Sequence, residues 1–232
     1  RRITKHVKDQ NWFAVGIDFC IVVIGVFIGI QVANWNDAQI ETRAERVLQH
    51  NIQSDMIVLE GEFDSIIERY DETLNSTGEL LDLLRSGEEP DDSLRVKYLI
   101  WRAGYYHEFP AFPPSYTELL SSGHLGQLSS PELRRALIRF GDQYNRFERN
   151  AQVAKSAILD PTSAHAAAAQ FSAAPAKWTS DGSAVESYDW QKLVDAKHEL
   201  QIWQAYQFEA YTLAKSIRDS IDDILSSLDT QK

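Results

Sequence analysis

Few residues of this 232-residue chain have the types and spacing that chemistry requires. The histidines are His6, His50, His107, His124, His165 and His198, and only Asp195-x-x-His198 has metal-ligand spacing on one helix face. A dinuclear carboxylate centre in a helical bundle needs two such pairs plus two more inward carboxylates, and a second pair is missing. Cys20 is the sole cysteine, so neither an internal disulfide nor a thiolate cage can form. Ser121-Ser122-Gly123 is better explained as a helix ending than as a nucleophile in a sharp turn, and no glycine-rich phosphate loop is present. The expectation is a non-enzymatic chain with no catalytic residue, no cofactor and no metal.

Two other groups carry more information. Asp18 is the only formal charge in the apolar run Trp12–Trp35, WFAVGIDFCIVVIGVFIGIQVANW. A carboxylate inside a membrane helix is unfavourable by up to about 3 kcal/mol at the bilayer centre. On a helix, Gly25 and Gly29 fall within about 20° of Asp18, and Gly25-x-x-x-Gly29 is a small-residue motif that admits another helix closely. Asp18, Gly25 and Gly29 thus form one candidate packing stripe. The second group is aromatic: Trp101, Tyr105, Tyr106, Phe109, Phe112 and Tyr116 surround a proline-rich loop. They serve either to pin that loop on a core or to contact a partner, because aromatic rings are enriched at interface centres.

The elements that must position these residues are helical. Residues Trp12–Trp35 would reach about 36 Å as a helix, enough for a hydrocarbon core of about 30 Å. Trp12 and Trp35 bracket the run as interface anchors. Gln31-Val32-Ala33-Asn34-Trp35 lacks the small-residue pair that signal cleavage needs, so the anchor is expected to be retained. Apolar residues then recur at three- and four-residue spacing: Ile40, Ala44, Val47, Leu48, Ile52, Leu59, Phe63, Ile66, Ile67, Tyr70, Leu74, Leu81 and Leu84. No proline interrupts this stretch before Gly87 and Pro90, so one helix is expected to continue out of the membrane and stop there.

A shorter helix is expected from about Ser93 to Tyr106, then a loop through Pro110, Pro113 and Pro114. Ser115-Tyr116-Thr117-Glu118 has a capping-box pattern and Gly123 closes that helix. Ser130-Pro131 opens another, with apolar positions Leu133, Leu137, Phe140, Tyr144, Phe147, Ala151, Ala154 and Ile158. An alanine-rich turn, Ala166–Ala169, leads into a polar stretch of roughly Ser172–Ser187 that reads as loop, flanked by Trp178 and Trp190, which either rest on headgroups or belong to the core. The last helix carries Leu193, Ala196, Leu200, Trp203, Tyr206, Leu213, Ile217, Ile221, Leu225 and Leu228. No alternating pattern of strand length is evident. The expected fold is all-α: one N-terminal transmembrane helix followed by an elongated antiparallel helical bundle.

Charge sets the topology. The chain is net −11, yet residues 1–10 carry Arg1, Arg2, Lys5 and Lys8 against Asp9 alone. The acidic remainder has no basic face, which excludes nucleic acid as a partner. Cations before the span and acidic or neutral residues after it place the N-terminus in the cytoplasm. The expected divisions are a basic cytoplasmic segment at 1–10, an anchor at 11–36 and a periplasmic helical domain at 37–232.

Residues 5–37, KHVKDQNWFAVGIDFCIVVIGVFIGIQVANWND, and 115–140, SYTELLSSGHLGQLSSPELRRALIRF, resemble a family of uncharacterised bacterial single-span membrane proteins. Its members have an anchor ending near Asn-Trp-Asn and a helical domain with a Ser-Ser-Gly-x-Leu turn. The resemblance implies the bacterial inner membrane and no activity. In layout the chain is also similar to flagellar stator B subunits, ExbD and TolR, in which an aspartate of a single span relays protons.

The functional expectation is an accessory or scaffold subunit of an inner-membrane complex. Its partners would be the lipid bilayer and other integral membrane proteins, or a second copy through the anchor. The alternative is a periplasmic ligand-sensing bundle. Sensing across the membrane needs an output domain or a signalling partner, and the ten residues before the anchor are too few to be one.

Overall fold

The computed structural model describes residues 12–173 and 184–230, with side chains from Val15 onward. The basic segment 1–10, the side chain of Trp12 and the whole of Trp178 lie outside the described residues. The order is α1 (Trp12–Ser86), α2 (Ser93–Ala103), α3 (Pro114–Ser121), a 3-10 turn (His124–Gln127), α4 (Pro131–Ile158), α5 (Ala164–Ala168), β1 (Ala169–Phe171), β2 (Val185–Tyr188), α6 (Trp190–Asp195) and α7 (Lys197–Asp229). The chain divides into two units, residues 1–50 and 51–232.

In the first unit, α1 is an exposed helix. Every described side chain from Val15 to Arg43 lies open, including Ile40, and so do Ala44 and Val47. Those last three share the three- and four-residue spacing of the core stripe, yet no core covers them. The buried seam begins only at Ile52.

Within the second unit that seam is regular. Ile52, Met56, Leu59, Phe63, Ile66, Tyr70, Thr73, Thr77, Leu80 and Leu84 are all buried, at alternating steps of four and three. The same alternation runs through Leu133, Leu137, Phe140, Tyr144, Phe147, Ala151, Ala154 and Ile158 of α4. It recurs in α7 at Leu200, Trp203, Gln207, Ala210, Ala214, Ile217, Ile221, Ile224 and Leu228. A mean step of 3.5 residues keeps a stripe on one side of slightly underwound helices, the condition for near-parallel packing in bundles. In α7 the buried positions are Gln207 and Ile224, while the expected Tyr206 and Leu225 are half-buried.

Cross-links give the directions. Arg95 and Arg102 of α2 pair with Glu79 and Glu72 of α1, so the two helices run antiparallel about the turn at Gly87. Gly87 has φ +75°, which favours a residue without Cβ. Returning past α1, His107 meets Thr73 and Ser115 meets Asp55. Tyr144 and Leu137 of α4 bond to Pro110 and Tyr116, again in opposed order. The segment from α2 through the proline loop to α3 therefore acts as one broken descending member. α7 runs against both α1 and α4, bonding Arg218 to Glu60 and Asp64 and Arg139 to Asp223. The bundle is antiparallel at each step.

Three local expectations change. α2 ends at Ala103, not Tyr106, because Gly104 caps it, at a position where a Cβ would come within 3.1 Å of His165 Cε1. α3 begins at Pro114 with no side-chain cap of its own, so Ser115 is not an N-cap. Instead its N–H donates to Asp55 Oδ2 at 2.9 Å, a carboxylate supplied from α1 to the positive end of α3. Finally, Ala169–Phe171 and Val185–Tyr188 form a two-stranded antiparallel ribbon, pairing Ala169 with Tyr188 and Gln170 with Ser187. Part of the segment read as loop is thus strand, too short for alternation to reveal. By contrast α4 starts as expected, with Ser130 accepting from Leu133 N and Pro131 at the first helical position.

Candidate functional site

The proline loop brings the aromatic group into the middle of the bundle. Phe109 meets Phe147 edge-on at 4.5 Å between centroids, and Phe112 meets Tyr144 at 4.4 Å. Tyr116 packs on Phe140 at 5.3 Å and donates its hydroxyl to Leu137 O at 3.1 Å. Phe63 of α1 joins the same stack at 5.6 Å from Phe147. Edge-to-face rings at these separations add about 0.5–1.5 kcal/mol per pair beyond their burial. The prolines prevent a helix here and let rings replace it as the packing unit.

The other three aromatic residues make other ring contacts. Tyr106 is half-buried against Phe109 at 5.6 Å, with Lys155 over its ring. Trp101 and Tyr105 pack together at 5.1 Å and flank the Arg102 guanidinium. Tyr105 is 40% exposed. Of the six, Tyr116 is buried, Phe109, Phe112, Trp101 and Tyr106 are half-buried and Tyr105 is exposed, and the three on the loop and α3 meet the α4 rings.

Gly141 shows how tight the inner set is. A Cβ there would overlap the Tyr116 hydroxyl. Alanine is the better helix former by about 1 kcal/mol, but overpacking costs about 1–3 kcal/mol. Gly141→Ala is thus expected to lower the melting temperature, not raise it, and to break the Tyr116–Leu137 bond. A thermal melt followed by circular dichroism measures this.

Beside the rings lies a polar layer that the apolar spacing did not reveal. Thr73, Thr77 and Gln207 occupy seam positions and are 2% exposed or less. The Thr77 hydroxyl shares its proton between Thr73 O at 2.8 Å and Gln207 Oε1 at 3.1 Å, and Gln207 Nε2 donates to Ala103 O at 3.0 Å. His107 Nε2 lies 2.9 Å from Thr73 Oγ1, and its ring meets Tyr70 at 4.8 Å. Burial, with Arg102 and Arg69 nearby, pushes its pKa down to about 4. His165 stands against Trp203 at 4.8 Å, and burial lowers it to about 4 despite a backbone bond to Ile100 and the nearby Glu199 carboxylate. Both imidazoles are neutral at pH 7. Satisfied polar positions in a seam fix which layers face each other, since any slip buries them without partners.

The remaining expected residues are elsewhere. Asp18, Gly25 and Gly29 lie on the exposed first unit, with nothing within 4 Å of either glycine's Cβ position. Trp35 is 66% exposed. Asp195 ends α6 while His198 belongs to α7, so their three-residue spacing is not carried by one helix. Among the described residues no group of three or more metal-ligating side chains is found. Trp190 is half-buried and donates its indole N–H to Gly87 O at 3.2 Å, tying α6 to the α1–α2 turn.

A model of the family of unknown function DUF6090 matches residues 18–196. The chain belongs to the DUF6090 family. That match takes in the apolar helix from Asp18, the aromatic loop, α4 and α6, and stops before α7. No curated protein and no solved structure matches the chain.

Proposed function

We propose that this DUF6090 chain is a non-enzymatic, membrane-anchored accessory or scaffold subunit of a bacterial inner-membrane complex. In this reading residues 11–36 cross the bilayer, residues 1–10 are cytoplasmic and residues 37–232 are periplasmic. One observation carries it. α1 contains a window of mean hydropathy 2.4 in which no residue is buried. An exposed apolar surface of that length calls for lipid or partner helices to cover it. Asp18, Gly25 and Gly29 would then face another membrane helix, where small residues let backbones approach.

Topology is tested with cysteine at position 226 in a Cys20→Ser background. An impermeant thiol reagent should label it once the outer membrane is opened, before inner-membrane lysis. Labelling only after lysis would invert the orientation. For the packing stripe, Gly25→Leu or Gly29→Leu should release the chain from its complex in mild detergent, while Val23→Leu, on the opposite side of the helix, should not. Equal effects at all three positions would remove the idea of a defined face. Asp18→Asn separates packing from proton relay, because it keeps shape and hydrogen bonding but cannot titrate. A ligand-sensing bundle is the second reading, favoured by a groove of about 330 Å³ between α4 and α7, lined by Arg149, Val153, Tyr206 and Glu209.

A further inference from the structure

α1 carries a second stripe besides its buried seam. In the first unit Ile40, Ala44 and Val47 lie open, with Ile40 56% and Val47 62% exposed. In the second unit Asn51, Ser54, Val58, Gly61 and Ser65 keep the same alternation of four and three, and all are exposed. There the seam positions Ile52, Met56, Leu59, Phe63 and Ile66 fall roughly 140° away around the helix wheel. Nothing lies within 4 Å of a Cβ at Gly61, so another backbone can come close. The Ser65 hydroxyl donates to Gly61 O at 3.1 Å and leaves no donor over.

Charge is excluded from this stripe. Glu41, Arg43, Glu45, Arg46, Asp55, Glu60, Glu62 and Asp64 belong to the same stretch of α1, and every one lies off it. Asp37 and Glu68 are the first charges met when the alternation is continued past its two ends. A side kept only for water has no reason to exclude the charges that surround it.

Steps of four and three are the pattern of a two-stranded coiled coil. This stripe fits a copy of itself. In a parallel pair in register, Asn51 meets the same residue of the second copy, and an amide both donates and accepts, so the two satisfy each other. The flanks agree. Across such a seam each flanking residue faces the one five positions on in the other helix. Asp64, its side chain 59% exposed beside Arg218, would meet Arg69, and His50 would meet Asp55. Arg43 and Glu62 would lie beside Leu48 and Ile57, so no like charges are opposed. We propose that α1 pairs with α1 of a second copy of this chain, parallel and in register, through residues 40–65. The inference goes beyond the anchored reading and stands on positions outside residues 11–36.

The test uses the full chain in mild detergent with Cys20→Ser throughout. Under mild oxidation Val47→Cys and Val58→Cys should each give a disulfide-linked product of twice the chain's mass. An antiparallel pair brings a residue onto its own copy at one level only, so cross-links at both positions require parallel helices. Arg46→Cys on another side of α1 and Asn145→Cys on α4, both exposed, should cross-link at least about tenfold less. Asn51→Asp keeps the shape but opposes two carboxylates. Combined with Val58→Glu it should weaken self-association in sedimentation at least about tenfold. The melting temperature should not change, because both positions are exposed. A monomer in sedimentation would overturn the proposal. Cross-linking at only one of 47 and 58, equal cross-linking at the control positions, or association indifferent to the acidic variants would overturn it as well. None of these readouts depends on which side of a membrane the domain occupies, so the topology test can fail while this one succeeds.

Discussion

Phe147→Ala is expected to lower the unfolding free energy by about 3–5 kcal/mol. Phe147 is fully buried and touches Phe63 from α1, Phe109 from the proline loop and Tyr144 on its own helix. Its removal strips three ring contacts and leaves a void between α1, the proline loop and α4. Total stabilities of domains are about 5–15 kcal/mol, so the loss would be a large fraction. Tyr105→Ala supplies the contrast: a 40% exposed ring at the edge of the same aromatic group should shift stability by less than about 1 kcal/mol. Residues 37–232, expected to be soluble and strongly helical alone, can be unfolded in urea to measure both. Equal effects at 105 and 147 would deny that burial separates the two rings.

Acidification should weaken the bundle in a defined window. His107 and His165 have pKa values near 4 in the fold, against an ordinary 6.5, because burial disfavours their charged forms. The unfolded chain therefore takes up protons below pH 6.5 while the folded chain does not. Their contribution is fully present above about 6.5, declines as pH falls towards 4, and changes no further below that. At 1.36 kcal/mol per unit, each imidazole accounts for a loss of about 3 kcal/mol. Glu79 behaves differently. Its bond to Arg95 holds its pKa below the usual 4.5, so its smaller, exposed contribution is lost only as pH falls below that value. Urea midpoints from pH 7.5 to 4 would trace the histidine phase, and His165→Gln or His107→Gln should flatten it. A profile unchanged between 6.5 and 4.5 would mean that neither ring is withheld from water.

Much of the helical framework follows from local chemistry. Gly87 ends α1 because the chain must turn through positive φ there, and Ser130-Pro131 opens α4 because one residue caps and the next needs no donor. The stripe from Leu133 to Ile158 is legible because spacing alone assigns those residues to one face. The length and apolarity of α1 are likewise properties of a contiguous run.

Spacing cannot say what faces a stripe. Ile40, Ala44 and Val47 repeat like core residues but remain exposed, since no other described element covers them. Asp55 supplies the charge at the start of α3 from sixty positions away in sequence, where a local capping box was expected. Val185–Tyr188 becomes a strand only because Ala169–Phe171 lies beside it. Of six clustered aromatics, Phe109, Phe112 and Tyr116 reach the core because α4 presents Phe140, Tyr144 and Phe147 to them. Gln207 and Thr77 are tolerable in a seam because each other and the Thr73 and Ala103 carbonyls satisfy them. The sequence by itself determined where α1 stops, where α4 starts and which face of α4 is apolar, because those depend on neighbours within one or two turns. Tertiary structure alone decided which faces meet, which polar groups are paired and where the α4–α7 seam is left open, because those depend on residues that only folding brings together.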